Sequence, residues 1–159
     1  MTRILSRIAL VAALLGFAGN AFAATATSNI TVTATVIKSC QLTAGTVAFG
    51  NYDPLAAANT DATGTFTVAC NKGTAWSISL GLGANASGAI RRMTDGTNFL
   101  TYELYNDAGR TTVWNAVNLV SGVAANKTAV SETIYGRVTA GQDLAAASFT
   151  DTVVATVTF

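Results

Sequence analysis

The chain has 159 residues, half of them hydrophobic, with nine basic and eight acidic side chains and no histidine. That length suits a single domain with a real core, and a near-zero charge without charge blocks leaves no electrostatic footprint for nucleic acid or anionic lipid. The missing imidazole removes Ser-His-Asp, Cys-His and histidine–metal chemistry, and the acidic residues are scattered near turns, so no enzyme, metal or other cofactor is expected.

Residues 1–23 read as a signal peptide. Arg3 and Arg7 precede an apolar run from Ile8 to Phe17, and Ala21-Phe22-Ala23 has the form of a signal-peptidase site, with cleavage expected after Ala23. As a helix the apolar run would span only about 15 Å, half of a bilayer's hydrocarbon core, which disfavours a membrane anchor. Without the two arginines the exported part carries seven basic against eight acidic residues.

From Ala24 to Ser39 the parity is regular. Ala26, Ser28, Ile30, Val32, Ala34 and Val36 fall on one side, and Thr25, Thr27, Asn29, Thr31, Thr33 and Thr35 on the other. This predicts a strand over 25–36, about 40 Å long at roughly 3.3 Å per residue and longer than a small sandwich needs. By alternation alone it is the first strand of its own domain, although alternation does not say whose sheet it joins.

Cys40 and Cys70 follow, both in the exported part, where an oxidising compartment favours a disulfide. A reactive or metal-bound thiol would need helpers that are missing, and closing this loop should stabilise the fold by about 3 to 4 kcal/mol in the chain-entropy account. Phe66, Val68 and Cys70 alternate with Thr65, Thr67 and Ala69, and Trp76, Ile78 and Leu80 with Ser77 and Ser79, which gives two half-buried strands joined by the turn Asn71-Lys72-Gly73. Asp95-Gly96 precedes a strand with Leu100, Tyr102 and Leu104 on one face, and Asn106-Asp107-Ala108-Gly109 turns the chain toward Thr111 to Trp114, predicting a meander. Residues 129–139 form another strand. The chain closes on a strand with Val153, Ala155, Val157 and Phe159 on one face. Ala145 to Ala147 is the one stretch with a short helical turn in prospect. Short alternating segments between turn signals indicate an all-β sandwich or barrel in one domain.

Other signals have plainer readings. Gly81-x-Gly83 followed by Gly88 precedes no helical pattern and is a loop rather than a dinucleotide fingerprint. Glu103 and Asp107 read as a solvated pair, and so do Arg91 and Arg92. Trp76, Trp114, Tyr102 and Tyr105, at strand parity, read as core rather than a sugar-stacking platform. The sequons at Asn29, Asn85 and Asn126 are of a kind that a Thr- and Asn-rich chain produces by chance.

Taken in order, Cys40-Gln41-Leu42, Val47-Ala48-Phe49-Gly50-Asn51-Tyr52-Asp53-Pro54, Gly64 to Cys70, Arg92-Met93, Leu100 to Tyr105, Trp114, Ile134-Tyr135-Gly136 and Phe149 to Val153 resemble the spore coat protein U domain family, which includes subunits of archaic chaperone-usher pili. The resemblance covers nearly the whole exported chain. One departure is Thr139-Ala140-Gly141-Gln142, where a proline is expected before the Ala-Gly-Gln step; it bears on local turn geometry. The resemblance implies an incomplete immunoglobulin-like β-sandwich that lacks its last strand and exposes an apolar groove. A donor strand from a neighbouring identical subunit then fills that groove. On this basis residues 24–39 become the donor extension, with Ile30, Val32, Ala34 and Val36 entering the neighbour, and residues 40–159 the pilin domain. Val153, Ala155, Val157 and Phe159 become candidate walls of the groove. A periplasmic chaperone and an outer-membrane usher are the implied partners, a tip adhesin subunit a further one, and the cell surface the destination, with attachment and biofilm formation the role. A self-complete coat or matrix protein and a sugar-binding adhesin module are the competing functions.

Overall fold

The computed structural model describes residues 23–159, so the signal peptide expected over 1–23 lies, apart from Ala23, outside the described residues. The chain divides into two units, Met1–Thr35 and Val36–Phe159. In the first, the described residues carry no helix or strand and their side chains are exposed. The strand predicted over 25–36 is therefore absent as a paired element. A strand is a hydrogen-bonded state, and alternation supplies the faces of a strand but not its partner.

The second unit is all β among the described residues. Its strands are β1 (Cys40–Ala44), β2 (Thr60–Cys70), β3 (Ala75–Leu80), β4 (Arg91–Thr94), β5 (Phe99–Tyr105), β6 (Val120–Val123), β7 (Val130–Val138) and β8 (Ala155–Thr158). They form a five-stranded sheet in the order β1-β2-β7-β5-β4 and a three-stranded sheet in the order β6-β3-β8, every pairing antiparallel. The core between them holds Phe66, Val68, Ile78, Leu80 and Leu100, among others, supplied by period-two positions of the strands, together with Trp114 from the loop after β5.

The turn after β2 moves the chain from one sheet to the other, so β2 and β3 are not a hairpin. Asn71 organises it: its Oδ1 accepts the Thr74 hydroxyl and the Ser39 N–H, each at 2.8 Å. Gly73, at φ +80°, donates its N–H to Ala124 O. β4 and β5 do form a hairpin across Asp95-Gly96. The predicted meander ends there. Instead of a third strand, residues 111–114 make one bridge, Tyr105 with Val113, and β5 takes β7 as its second neighbour. Trp114 leaves the sheet to fill the core, donating Nε1–H to Ile78 O at 3.0 Å, and at that depth its indole requires such a partner. Ala145 to Ala147 forms no helical turn.

Arg91 differs most from the sequence expectation. It is fully buried, ion-paired with Glu103, and donates to Gly81 O from Nε and Nη2 and to Trp114 O from Nη2. The main-chain carbonyls that receive it come from distant segments, a proximity that local charge pattern does not carry. Glu103 is therefore not part of a solvated pair with Asp107, which separately accepts the N–H groups of Thr111 and Thr112. Arg92 stays at the surface, with its guanidinium 3.9 Å from the centre of the Phe99 ring.

Candidate functional site

β8 has β3 as its single neighbour among the described residues. Ala155 lies opposite Leu80 and Val157 opposite Ile78, so both side chains point inward. Gly81 N–H donates to Val154 O at 2.8 Å. In an antiparallel pair hydrogen-bonding residues alternate along each strand. Val154, Thr156 and Thr158 thus turn their backbone groups toward β3, whereas Val153, Ala155 and Val157 turn theirs to the open edge. The residues with inward side chains are the ones that offer unpaired N–H and C=O groups.

Beside that edge runs a cleft of about 1150 Å³. Its floor is core, including Phe66, Leu80, Leu100, Leu104 and Ile134. One lip is the last residue of β1 with the segment after it, 44–55, and the other is the segment leading into β8, 143–153. Of the predicted wall residues, Val153 and Ala155 line the cleft. Val157 packs on the core beyond it, and Phe159 is half exposed without lining it. Ile30, Val32 and Val36 each expose more than four-fifths of their surface, and Ala34 is exposed as well.

Several lining residues lay outside the sequence-based set: Val47, Phe49, Met93, Leu144 and Phe149. Val47 and Phe49 do carry a signal, since they sit two apart in a segment bounded by Gly45 and Gly50. Leu144 and Phe149 flank a run of small residues with no periodicity. The first lip lies directly on the sheet because two glycines leave room for it. A Cβ on Gly136 would meet Phe49 Cζ at 2.7 Å and Val47 Cγ1 at 2.9 Å, and one on Gly64 would meet Thr46 O at 2.7 Å.

The first lip is tied to the turn that precedes the second. The Tyr52 hydroxyl donates to Thr139 O at 3.2 Å and accepts the Gln142 N–H at 2.7 Å. Gln142 Oε1 accepts the Thr101 N–H at 2.8 Å and its hydroxyl at 2.6 Å, while Nε2 donates to Thr101 O at 2.9 Å and Thr139 O at 3.0 Å. Gly141, at φ +77°, makes the turn in this step. On the second lip, Asp151 accepts the Tyr102 hydroxyl at 2.6 Å and the Asn85 N–H at 3.1 Å. Burial, reinforced by the Asp151 carboxylate, pushes the Tyr102 hydroxyl far above the usual tyrosine range, so it remains a donor.

Cys40 and Cys70 are disulfide-bonded at the end of the β1–β2 pair, with Cα atoms 4.1 Å apart. Among the described residues no group of three or more acidic, histidine or cysteine side chains is placed to hold a metal. What the site offers is apolar surface and an unpaired strand edge. That is the chemistry of binding an extended peptide.

The profile of the Spore Coat Protein U domain matches residues 26–156. Protein U of Myxococcus xanthus is 34% identical over 155 residues, covering 86% of this chain and 87% of that protein. Among solved structures, the crystal structure of the CsuC-CsuE chaperone-tip adhesion subunit pre-assembly complex, from archaic chaperone-usher Csu pili of Acinetobacter baumannii, superposes with a TM-score of 0.62 at 21% identity. The match covers 79% of this chain and 40% of that one, so this chain spans less than half of its solved neighbour. The likeness is one of fold: all-β and immunoglobulin-like.

Proposed function

The chain belongs to the spore coat protein U domain family, and from that premise we propose that it is a structural, non-enzymatic subunit of an archaic chaperone-usher pilus. Residues 24–36 of one copy fill the cleft of the next, adding a strand at the open edge of β8. The observation that carries this reading is the match between a cleft with an apolar floor at an unpaired edge and an exposed segment that alternates apolar residues and threonine from Ile30 to Val36. Each Ile or Val moved from water into the cleft contributes about 1.5 to 3 kcal/mol. The added strand also occupies edge groups that otherwise invite aggregation. A periplasmic chaperone would cover the cleft during export, an outer-membrane usher would order the exchange, and the resulting fibre of identical subunits, with or without a tip adhesin, would support attachment and biofilm formation.

Deleting residues 24–36 from the exported chain tests this. The truncated subunit should still accept a donor from an intact copy while contributing none, so mixtures give short capped ladders on unboiled gels and the truncated chain alone gives none. Ladders from the truncated chain alone would refute the reading. The second reading, a self-complete coat or matrix protein, draws on the 34% identity to Protein U; it requires the full exported chain to elute as a monodisperse monomer.

A further inference from the structure

We infer that the lysine-bearing end of one copy seats on the aspartate-bearing end of the next and so sets the inserted strand antiparallel to β8, an inference that rests on the exchange proposed above. The charges of the second unit are sorted toward its two ends. Ser39 N–H donates to Asn71 Oδ1 at 2.8 Å and Asn71 N–H to Ser39 O at 3.0 Å, so Lys38 stands beside the turn that holds Lys72. Gly73 N–H donates to Ala124 O and Ala124 N–H to Thr74 O, which brings the loop of Lys127 to the same end. These are all the lysines of the chain, and each is exposed. The segments that carry them, 36–40, 70–75 and 123–130, hold no acidic residue. At the other end the sign reverses. β2 and β7 pair from Val68 with Val130, next to the lysines, to Thr60 with Val138, roughly 26 Å along the strands. Just beyond Val138, the Tyr52 hydroxyl bonds Thr139 O and Gln142 N–H and thereby sets Asp53 near Asp143; both are exposed and line the cleft. Asp95 joins them, because the bonds between Thr94 and Thr150 tie its hairpin to the second lip. None of these three aspartates is ion-paired among the described residues, while Arg92 lies over Phe99 and Arg110 and Arg137 are taken by Asp61.

The tether between donor and domain forces the two ends together. Val36 and Ser39 are only three residues apart, about 10 Å at full extension, and Ser39 is bonded into its own domain. The donating copy therefore brings its lysine end against whichever end of the cleft its strand leaves. β3 departs from the lysine end at Ala75, and β8 runs back along it, from Ala155 opposite Leu80 to Thr158 opposite Ser77. A donor parallel to β8 would leave at the lysine end and set lysines against lysines. An antiparallel donor leaves at the aspartate end. Lys38, on the same parity as Ile30, Val32, Ala34 and Val36, then arrives on the cleft side, where Asp53 and Asp143 line it. The same seating covers two hydrophobic side chains that the isolated subunit leaves in water. Ile37, on the tether, is 75% exposed, and Leu55, 95% exposed, is held out at the aspartate end by the turn in which Asp53 accepts the N–H groups of Leu55 and Ala56. Opposite charge and apolar surface thus favour one orientation and oppose the other.

The test treats fibres of the full-length exported protein with a water-soluble carbodiimide, which joins a lysine amine to a carboxylate only when the two are in contact. Peptide mass spectrometry should find Lys38, Lys72 or Lys127 joined to Asp53, Asp95 or Asp143. Within one copy the two groups stand roughly 26 Å apart, so such a bond links two copies. Ladders that carry none of these bonds overturn the docking and leave strand exchange standing, whereas native protein that forms no ladders overturns strand exchange itself. Charge reversal supplies a second measurement. Lys72→Glu combined with Lys127→Glu should slow ladder growth about tenfold at low ionic strength, and adding Asp143→Lys should restore most of the loss. Growth at the native rate in the first variant, or no recovery in the second, is incompatible with the two ends meeting.

Discussion

Where β3 and β4 face each other, the two sheets are joined by buried polar bonds: Arg91 reaches Glu103, Gly81 O and Trp114 O, and the Trp114 indole reaches Ile78 O. Along β8 the sheets are flanked instead by two lips without regular strands, and the strand edge between them is open. The same sandwich thus has a locked seam and an open seam. Ion pairs as deep as Arg91–Glu103 seldom add much net stability over a hydrophobic replacement. What this one does is hold β4 to the end of β3, next to Leu80 and Met93 of the cleft lining, so that the neighbouring edge of β8 can be left open without the sheets drifting apart. If that division is correct, changes at the open seam should disable assembly while sparing the folded subunit, and changes at the locked seam should do the reverse.

The largest effect is expected from the occupant of the open seam. Val32→Asp would bring an unpaired carboxylate into an apolar cleft at a cost of several kcal/mol, whereas Thr33→Asp, one position along, keeps its charge in water. Heat-resistant ladders should vanish in the first and persist in the second, at equal export. Equal loss in both would mean that the donor face, or the donor segment, has been misassigned.

At the locked seam, Glu103→Leu leaves the Arg91 guanidinium buried without its counter-charge and should destabilise the subunit by about 3 to 5 kcal/mol in denaturant unfolding. Adding Arg91→Met should recover much of that, since the remaining cost came from the orphaned charge. Ladders formed by whatever fraction stays folded should be as heat-resistant as those of the parent chain. A loss below about 1 kcal/mol, or recovery absent in the double variant, would remove the seam from the argument.

The two seams also differ in how far they could be read from sequence. Period-two runs such as Phe66-Val68-Cys70, Trp76-Ile78-Leu80 and Leu100-Tyr102-Leu104 show on their face which side is buried, and all nine residues are core. Arg91 was opaque because its charge pattern is that of a surface residue, and the carbonyls that satisfy it come from Gly81 and Trp114, a proximity that only the fold creates. The last strand was legible through Ala155 and its parity. The cleft lips were not, because segments without regular structure have no period to read, and glycines such as Gly136 reveal their purpose only once Phe49 is seen lying across them.

A smaller effect should follow from disturbing that contact. Gly136→Ala sets a methyl group 2.7 Å from Phe49 Cζ, and overpacking of this kind typically costs about 1 to 3 kcal/mol. The lip can yield where the sheet cannot, so amide exchange should quicken over residues 44–55 while β3 at the locked seam stays as protected as before. Uniform loss of protection would mean that the lip is not a separable element.

The smallest effect belongs to a pair on the outer face, outside either seam. Arg137 donates to both carboxylate oxygens of Asp61, at 2.7 and 2.8 Å, with Arg110 3.3 Å away. The hydrogen bond from Arg137 holds the Asp61 carboxyl below the ordinary aspartate range, partly offset by its limited burial, with the charges of Arg110 and Arg137 adding to the depression. Because the folded value lies below the unfolded one, the stabilisation is present above about pH 4 and is lost as the pH falls through the folded value. The group is well exposed, so water and salt screen it, and Asp61→Asn should cost no more than about 1 kcal/mol at neutral pH. The variant and its parent should converge in stability as the solution is acidified or brought to high salt. Ladders should be unchanged throughout, since the pair borders neither the cleft nor the Arg91 seam. A ladder defect in Asp61→Asn would show that assembly also uses the outer face of the five-stranded sheet, and the two-seam division would then need a third surface.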